Sequence, residues 1–373
     1  MSNTSESVDI YERLAQVLDA TPQGFPRMKS GVEIKLLKFA FTPEEVSLAG
    51  HLTCTYEYPA DIAKRAGIAE EDAIVILGGL ISRKLVRMRG PPVYPGMPKA
   101  PVGKDCLFRL GPFMIGWYEA VMRTGGKEFA ELFHQYMVEG GGERILAPRP
   151  GVLGVVPVRG SLKPELMAVM EPHLDIDAHL QRHERFLVMD CVCKLEMEAL
   201  GQDDSRYPVK RCGFLGLPAS TPLGEHVLSR EEADQLLCKL ESLGHVHNAT
   251  YGFTMTAKEP QFVGSCNCDR HACGVFNNHF PTQASNYRAV IDPEKCTACG
   301  VCNDRCPVTA IAEDVKGKSA VWRAKCIGCG VCVIGCLDEA IELVPVSKDE
   351  WFYTPSSMEE WEELRATNLA ALV

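Results

Sequence analysis

Cysteine is concentrated near the end of the chain, where one spacing occurs twice. Residues 296–307 read CTACGVCNDRCP, and residues 326–336 read CIGCGVCVIGC. Thiolates in a C-x2-C-x2-C loop turn toward a common centre, and the fourth cysteine of such a run binds the centre of the other run. The repeat therefore predicts two four-iron [4Fe–4S] clusters. Their predicted ligands are Cys296, Cys299, Cys302 and Cys336 for the first cluster, and Cys306, Cys326, Cys329 and Cys332 for the second.

Glycines accompany the cysteines in both loops. Gly300, Gly328 and Gly330 let the main chain approach the inorganic sulfides, so that N–H groups can donate hydrogen bonds to sulfur. The alternative interpretation is a set of core or zinc-binding cysteines. We set it aside because all eight cysteines follow the two-cluster spacing.

On these eight cysteines, residues 290–345 resemble the bacterial-type ferredoxins that hold two [4Fe–4S] clusters. The resemblance implies a small domain that carries electrons. One position departs from the family pattern, because Cys336 precedes Leu337 where the family usually has proline. All eight ligands are kept, so the departure bears on the surroundings of a cluster rather than on its ligation.

Six of the other nine cysteines form three short motifs in the middle of the chain. They are Cys191, Cys193, Cys212, Cys266, Cys268 and Cys273. Residues 186–193 are predicted to be a strand, and side chains at positions i and i+2 of an extended segment point to the same face. Two C-x-C pairs could then present four sulfur atoms to one metal. The remaining Cys54, Cys106 and Cys238 stand alone in apolar patterns, which is typical of core packing.

Three alternatives are open for this third site. A third [4Fe–4S] cluster is favoured, with Cys191, Cys193, Cys212 and one cysteine of residues 266–273 as ligands. Zinc competes because a histidine, His271, falls within that last segment. The third alternative is an open site where a cluster or a pair of thiols acts on a substrate.

Length and composition predict a globular protein of two to three domains. The chain has 373 residues, 46% hydrophobic and 24% charged, and its formal net charge of −10 excludes a chain that is basic throughout and coats nucleic acid. The first residues lack the pattern of a secretory signal, and no apolar stretch is long enough to cross a bilayer. We therefore expect a cytoplasmic protein whose thiols stay reduced.

Residues 31–123 carry the pattern of a separate domain. Helices are predicted over 33–41, from Thr42 with a capping box completed by Glu45, over 59–66 and over 70–84. Strands are predicted over 85–89 and 106–110, on either side of a loop rich in proline and glycine. This order resembles a winged helix-turn-helix domain.

A basic run crosses this domain. Between positions 83 and 109 the chain has seven basic residues and one acidic residue, and the candidate contacts are Arg83, Lys84, Arg87 and Arg89. They could bind DNA phosphates or dock an acidic protein partner. Docking is favoured over DNA because the predicted recognition helix begins with acidic side chains at residues 70–72, which repel phosphate.

These elements predict an α+β multidomain protein. Its predicted parts are an N-terminal arm (1–30), a winged-helix-like domain (31–123), a connector of helix and loop (124–160), a cysteine-rich α/β middle domain (161–288), the two-cluster ferredoxin domain (289–346) and an acidic tail (347–373). The aromatic residues of the tail, such as Trp361, predict an amphipathic segment that lies on this chain or on a partner.

Most of the chain resembles the 4Fe–4S dicluster-domain proteins of anaerobic bacteria and archaea. These combine a winged-helix-like part, a C-x-C segment, a Cys-Asn-Cys segment and two ferredoxin repeats. Relatives often carry more cysteines where this chain has Asp269, His271 and Ala272. The resemblance implies a non-catalytic component that passes single electrons between a donor and a partner oxidoreductase in anaerobic metabolism.

Two other functions are kept as alternatives. One is a redox-sensing transcription regulator that uses the winged helix, and the other is an oxidoreductase with its own site at the middle-domain cysteines. No catalytic residue is assigned, because the sequence has neither a nucleotide-binding glycine motif nor a recognisable catalytic triad or carboxylate pair. A second copy of the chain is an open possibility as a partner.

Overall fold

The computed structural model describes residues 9–90, 102–168, 170, 175–202, 211–217, 219, 221–250, 264–278, 280–351 and 353–370, without the side chains of 211, 212, 264 and 370. The chain divides between Ile145 and Leu146 into two compact units. Helices and strands are mixed, which confirms the α+β class in its coarse form. Within the described residues, no helix is long and apolar enough to cross a membrane.

Unit 1 is mainly helical. Its helices are α1 (Ile10–Asp19), α2 (Val32–Ala40), α3 (Pro43–Ala49), α4 (Pro59–Ala66), α5 (Glu70–Ser82), α6 (Tyr118–Tyr136) and α7 (Gly142–Leu146), and its strands are β1 (Val86–Arg89) and β2 (Leu107–Leu110). The TPEE motif forms the predicted capping box, in which the Thr42 hydroxyl accepts from the Glu45 N–H and the Glu45 carboxylate accepts from the Thr42 N–H. Local sequence therefore fixes where α3 begins.

The centre of unit 1 is aromatic. Phe25, Phe113, Trp117 and Tyr136 are buried, and the Phe113 ring centroid lies 5.0 Å from that of Phe25 and 4.8 Å from that of Trp117. Around this core, α3, α4 and α5 are followed by the antiparallel pair of β1 and β2, and a single bridge joins Glu57 to Phe108 of β2. Most of the loop between the two strands, residues 91–101, lies outside the described residues.

Unit 2 contains a six-stranded antiparallel sheet in the order β3-β7-β8-β5-β4-β6. Its strands are β3 (Leu153–Val156), β4 (Arg185–Asp190), β5 (Arg211–Leu217), β6 (Val227–Ser229), β7 (Val246–Thr250) and β8 (Gly264–Cys268), and its helices are α8 (Pro164–Met167), α9 (Ile176–Arg182), α10 (Val192–Ala199), α11 (Arg230–Ser242) and α12 (Gly274–Asn277). Apolar side chains of α9 and α11, such as Leu180 and Leu237, pack on Phe186, Val188 and Phe214 of the sheet. This core positions the ends of the cysteine-bearing strands.

The strand predicted over 186–193 is wrong in its second half. Strand β4 ends at Asp190, and Cys191 occupies the N-cap of α10, so Cys193 lies in a first helical turn. Only the second C-x-C pair, Cys266 and Cys268, lies on an extended strand. Side chains at positions i and i+2 of a strand point to the same face, and this holds for Cys266 and Cys268 but not for Cys191 and Cys193.

The remainder of unit 2 holds the cysteine repeats between two paired strands. Strand β9 (Tyr287–Ile291) runs antiparallel to β12 (Ile341–Pro345), and the segment between them contains helix α13 (Val301–Arg305) and the hairpin of β10 (Ile311–Glu313) and β11 (Ser319–Val321). Pairing the strands at both ends of the segment brings the first and second repeats together around one core.

The tail packs on unit 2 itself. Helix α14 (Met358–Ala370) places the Trp361 indole N–H 3.1 Å from the Gly151 carbonyl oxygen, which accepts its hydrogen bond. The guanidinium of Arg365 donates to the carbonyl oxygens of Pro148 and Pro150, at 2.9 Å each. Of the two alternatives for the amphipathic tail, the structure supports contact with its own chain.

Replacing Trp361 with alanine is expected to destabilise unit 2 by about 3–5 kcal/mol, the usual cost of emptying a large buried aromatic site. Trp361 is 6% exposed, and the replacement also removes its hydrogen bond to Gly151. Denaturant unfolding followed by circular dichroism measures the loss. Trp322→Ala is the control, because Trp322 is 65% exposed. Equal losses in both variants would contradict the docking of α14.

The buried carboxylate of Glu241 in α11 is hydrogen-bonded to Arg159, which follows β3. Glu241 accepts from the Arg159 guanidinium at 2.9 Å and lies 2.8 Å from His247 Nε2. These hydrogen bonds, together with the charge of Arg159, outweigh the effect of burial and lower the pKa of Glu241 to about 2. Arg159 also pairs with Asp234 and Asp177, so one guanidinium joins three acidic side chains.

This network gives unit 2 a stability that depends on pH. Because the folded-state pKa of Glu241 is depressed, its contribution is complete above the ordinary value near 4.5 and is lost as the pH falls toward 2. We compare the unfolding free energy of the wild type with that of Glu241→Gln. The difference in favour of the wild type is expected to increase by about 3 kcal/mol between pH 2 and pH 5. Urea titrations of both proteins across this range measure the difference, and a difference independent of pH would contradict the assignment.

Candidate metal centres

One cavity of the repeat segment is lined by four cysteines drawn from both repeats. They are Cys296, Cys299, Cys302 and Cys336. The first two precede α13, Cys302 lies in its first turn, and Cys336 precedes β12. Apolar side chains, among them Ile291 and Ile341, complete the wall.

A second cavity has the complementary composition. Its cysteines are Cys306, Cys326, Cys329 and Cys332. Cys306 follows α13, whereas the other three belong to the second loop. The structure thus groups the eight cysteines into two sets of four, and each set takes three from one repeat and one from the other.

The two loops have matching backbones. Residues separated by 30 positions share the left-handed conformation, with φ values of +61° and +66° at Ala298 and Gly328, +78° and +79° at Gly300 and Gly330, and +49° at both Thr309 and Glu339. Equivalent hydrogen bonds follow, because Cys306 Sγ accepts from the Ala310 N–H at 3.1 Å and Cys336 Sγ accepts from the Ala340 N–H at 3.4 Å. The internal repeat of the sequence is therefore also a repeat of structure.

Glycine is required at two positions of the second loop. A Cβ added at Gly328 would lie 2.1 Å from the Tyr287 carbonyl oxygen, and one at Gly330 would lie 2.3 Å from both Cβ and Oγ of Ser161. At Gly300 no described atom lies within 4 Å of that position. An added Cβ would therefore clash with neighbouring atoms at Gly328 and Gly330 in the second loop, whereas it would meet no described atom at Gly300 in the first loop.

The donor set and its surroundings fit [4Fe–4S] clusters. Each cavity offers four sulfur donors, main-chain N–H groups directed at sulfur and an apolar wall. Among the described side chains, no three His, Cys, Asp or Glu residues are arranged to hold a single metal ion. A cubane distributes its four thiolates over four iron atoms, so its ligands need not converge on one ion.

Burial differs among these thiols. Cys302, Cys306, Cys329 and Cys332 are buried, whereas Cys299 is exposed. Burial raises the pKa of Cys332 to about 12, and it raises the pKa of Cys329 well above the ordinary value. The first cavity is thus nearer to solvent at Cys299 than the second is at any of its cysteines.

Five middle-domain cysteines lie together at a separate place in unit 2. The thiol of Cys193 contacts those of Cys191 and Cys273, and the thiol of Cys268 contacts those of Cys266 and Cys273. They come from the start of α10, from strand β8 and from the N-cap of α12. The sixth predicted member, Cys212, belongs to β5, but its side chain lies outside the described part.

Charged side chains to which the sequence pattern gave no role lie beside these thiols. Lys194 Nζ lies 3.0 Å from a carboxylate oxygen of Asp269, and their side chains are 6% and 2% exposed. Asp269 also accepts from the main-chain N–H groups of His271 and Ala272, which shapes the turn that leads to Cys273. Burial raises the pKa of Glu196 to about 8, and the nearby cysteines add to the effect.

Two arginines connect the middle-domain sheet to the repeat segment. Arg270 donates to the carbonyl oxygens of Asn303, at 3.2 Å, and of Asp304 in α13. Arg305 donates to the Val331 carbonyl oxygen in the second loop and to the Glu241 and Ser242 carbonyl oxygens at the end of α11. Their roles had no sequence signal, because their acceptors are main-chain atoms.

The basic run of unit 1 is partly engaged within the unit. Arg83 pairs with Glu45 and donates to the Ala40 carbonyl oxygen, and Arg87 donates to the Ile115 carbonyl oxygen. The guanidinium carbon of Arg89 lies 4.5 Å from the Tyr56 ring centroid, and Arg83, Lys84 and Arg89 are all exposed. Two of the four predicted contact residues, Arg83 and Arg87, therefore already have partners inside the unit.

Comparison with known proteins identifies one part of the chain. Residues 288–337 match the family model of the 4Fe-4S dicluster domain. This segment is therefore an iron–sulfur electron-transfer domain near the end of the printed sequence, as its cysteine spacing predicted. No curated protein and no solved structure matches the chain.

Proposed function

We propose that this protein is a non-catalytic component that passes single electrons between a donor and a partner oxidoreductase, through two [4Fe–4S] clusters. The proposed ligands are Cys296, Cys299, Cys302 and Cys336 for the first cluster, and Cys306, Cys326, Cys329 and Cys332 for the second. The observation that carries the proposal is the grouping of these eight thiols along two cavities, four to each.

Each cluster, when bound, accepts and releases one electron at a potential that its surroundings set. The chain contributes the thiolates, and the N–H groups of Ala289, Ala310 and Ala340 donate to three of them. Such hydrogen bonds stabilise the more negative, reduced state. Two of the thiols of the second cavity, Cys329 and Cys332, are buried, at 7% and 6% exposed.

The first cavity is the proposed place where electrons enter or leave. Cys299 is exposed there, and the neighbouring Val301 and Leu337 are 41% and 98% exposed. Leu337 is also the residue that departs from the usual Cys-Pro pattern. An apolar contact of this kind suits a transient redox partner, whose interface is small.

The proposed domain organisation keeps residues 31–123 as a winged-helix-like domain, 161–288 as the cysteine-rich middle domain and 289–346 as the ferredoxin domain. Support for the first comes from three helices followed by an antiparallel strand pair, with the Glu57–Phe108 bridge beside it. Its proposed role is to dock a partner rather than to read DNA. An oxygen-free cytoplasm is the proposed setting, because such thiols must remain reduced.

A mobility-shift experiment separates docking from transcription regulation. We expect no salt-dependent binding to any duplex at low ionic strength, because Arg83 and Arg87 already have partners inside the unit. A protein that uses phosphate contacts binds even non-specific DNA weakly under these conditions, and its affinity falls as salt rises. A shift that disappears with added salt would favour the regulator.

Iron and electron counts test the proposed function. The full chain, purified without oxygen, is expected to hold at least about eight iron atoms and eight sulfides, which is the content of two [4Fe–4S] clusters. Dithionite reduction should give the electron paramagnetic resonance of two interacting reduced clusters. Fewer than about eight irons after reconstitution, or a spectrum from one isolated cluster, would overturn the proposal.

A further inference from the structure

Five thiols from three separate segments meet in the middle domain, away from the ferredoxin cavities. Their contacts form a line that runs Cys191, Cys193, Cys273, Cys268, Cys266. The two C-x-C pairs are therefore joined through Cys273. We propose that these cysteines hold a third metal centre, a polynuclear iron–sulfur cluster, which goes beyond the two clusters of the proposed function.

Burial and redox state support a metal site rather than ordinary packing. Cys191, Cys268 and Cys273 are 9%, 6% and 3% exposed, and none of these five described cysteines forms a disulfide. Single buried cysteines serve as small apolar side chains, but five in contact place five polarisable sulfur donors at one point. Soft thiolate sets of this kind select iron–sulfur clusters, zinc or copper(I).

The arrangement favours several metal atoms over one. A single zinc ion holds four ligands in a closed tetrahedron, in which all of the thiolates are near neighbours. Here five thiols are connected by contact, one more than a tetrahedral zinc ion takes, and no three described metal-binding side chains are arranged around one ion. A cluster of iron and sulfide spreads its ligands over several metal atoms and suits the longer set.

The groups around these thiols are of the kind that stabilise a bound metal cluster. The Lys194–Asp269 pair is buried beside the cysteines, and Asp269 fixes the turn before Cys273 through two main-chain N–H groups. Cys191 is the N-cap of α10, so first-turn N–H groups, which the helix itself does not bind, lie at the thiol site. Main-chain N–H groups at a thiol site help to offset the negative charge of several thiolates.

The position of the site links it to electron transfer. Arg270 lies between Cys268 and Cys273, and it donates to main-chain oxygens of α13, the helix that contains Cys302. The thiol site and the first ferredoxin loop are therefore in direct contact through one turn. Transfer between them moves one electron from the reduced centre to the oxidised centre, and no bond forms or breaks.

The test compares the metal content of two double variants. Cys268→Ser/Cys273→Ser removes two adjacent members of the line, and Cys54→Ser/Cys238→Ser replaces two thiols outside it. Wild type is expected to hold about twelve irons, the first variant about eight and the control about twelve, if the third centre is also a four-iron cluster. The resonance of the two ferredoxin clusters should persist unchanged in all three proteins.

Other outcomes overturn the inference. Equal iron in the two double variants, one zinc lost instead of iron, or a disulfide between the five thiols with no metal would each do so. If the first variant fails to fold, wild type decides, because a fully reconstituted chain with only about eight irons leaves none for a third cluster.

One more variant separates this inference from the proposed function. Cys302→Ser/Cys332→Ser removes a ligand from each ferredoxin cluster and is expected to keep about four irons, all in the middle domain. A variant without iron would refute the third centre and leave the two-cluster proposal intact. Loss of no iron would refute the ferredoxin ligands instead.

Discussion

Cys329→Ala is expected to lower the iron content of the protein by about four atoms and to destabilise unit 2 strongly. Cys329 is 7% exposed in the second cavity, and its carbonyl oxygen accepts the Val158 N–H at 2.9 Å. A buried ligand contributes both to cluster binding and to packing, because the folded chain is organised around the bound group. The loss of a structural metal belongs to the few changes that exceed about 4 kcal/mol.

Iron analysis and thermal unfolding under anaerobic conditions measure both effects. In a unit of this size we expect the midpoint of unfolding to fall by about 10 °C or more. Cys106→Ala is the matched control, because Cys106 is also buried but belongs to unit 1 and is not a proposed ligand. If Cys329→Ala keeps its iron, the ligand assignment of the second cluster is wrong.

Gly330→Ala is expected to prevent assembly of the second cluster, whereas Gly300→Ala is expected to be tolerated. Both glycines are left-handed, at +79° and +78°, so the backbone strain of an added Cβ is the same and costs about 1–2 kcal/mol. The two positions differ in the room that is available for an added Cβ. The Cβ at Gly330 would lie 2.3 Å from Ser161, and at Gly300 it would meet no described atom within 4 Å.

The difference between the two variants isolates the effect of crowding. Gly330 stands between Cys329 and Cys332, so moving the loop away from Ser161 also displaces two proposed ligands. We expect Gly330→Ala to lose about four irons and Gly300→Ala to lose none. Similar iron content and similar unfolding free energies in both variants would show that the contact with Ser161 is unimportant.

The sequence predicted those features that depend on local spacing. The capping box at Thr42 starts α3 as its motif predicted, because the cap and its partner Glu45 are three residues apart. The family match likewise falls on the segment with the C-x2-C-x2-C repeats. In each case the residues that decide the structure are neighbours in the chain, so the pattern alone carries the geometry.

Features that depend on distant partners could not be read from the pattern. Cys191 has the surroundings of a strand end in the sequence, yet it caps α10, which changes how the first C-x-C pair presents its sulfur atoms. The charge of Arg83 is paired with Glu45, 38 residues away. Nothing in a window of a few residues distinguishes an arginine with such a partner from one that is free.

The contacts of the tail also join the beginning and the end of unit 2. Arg365 contacts Pro148 and Pro150 across more than 200 residues, and it is fully buried there. Long-range contacts of this kind slow folding, because the entropy of closing the loop is lost before the contact forms. The segment that precedes β3 therefore gains its contacts with Arg365 only after residue 365 has left the ribosome. During that interval the loops that bear the cysteines are already synthesised, and cluster insertion has the opportunity to precede the closing contact.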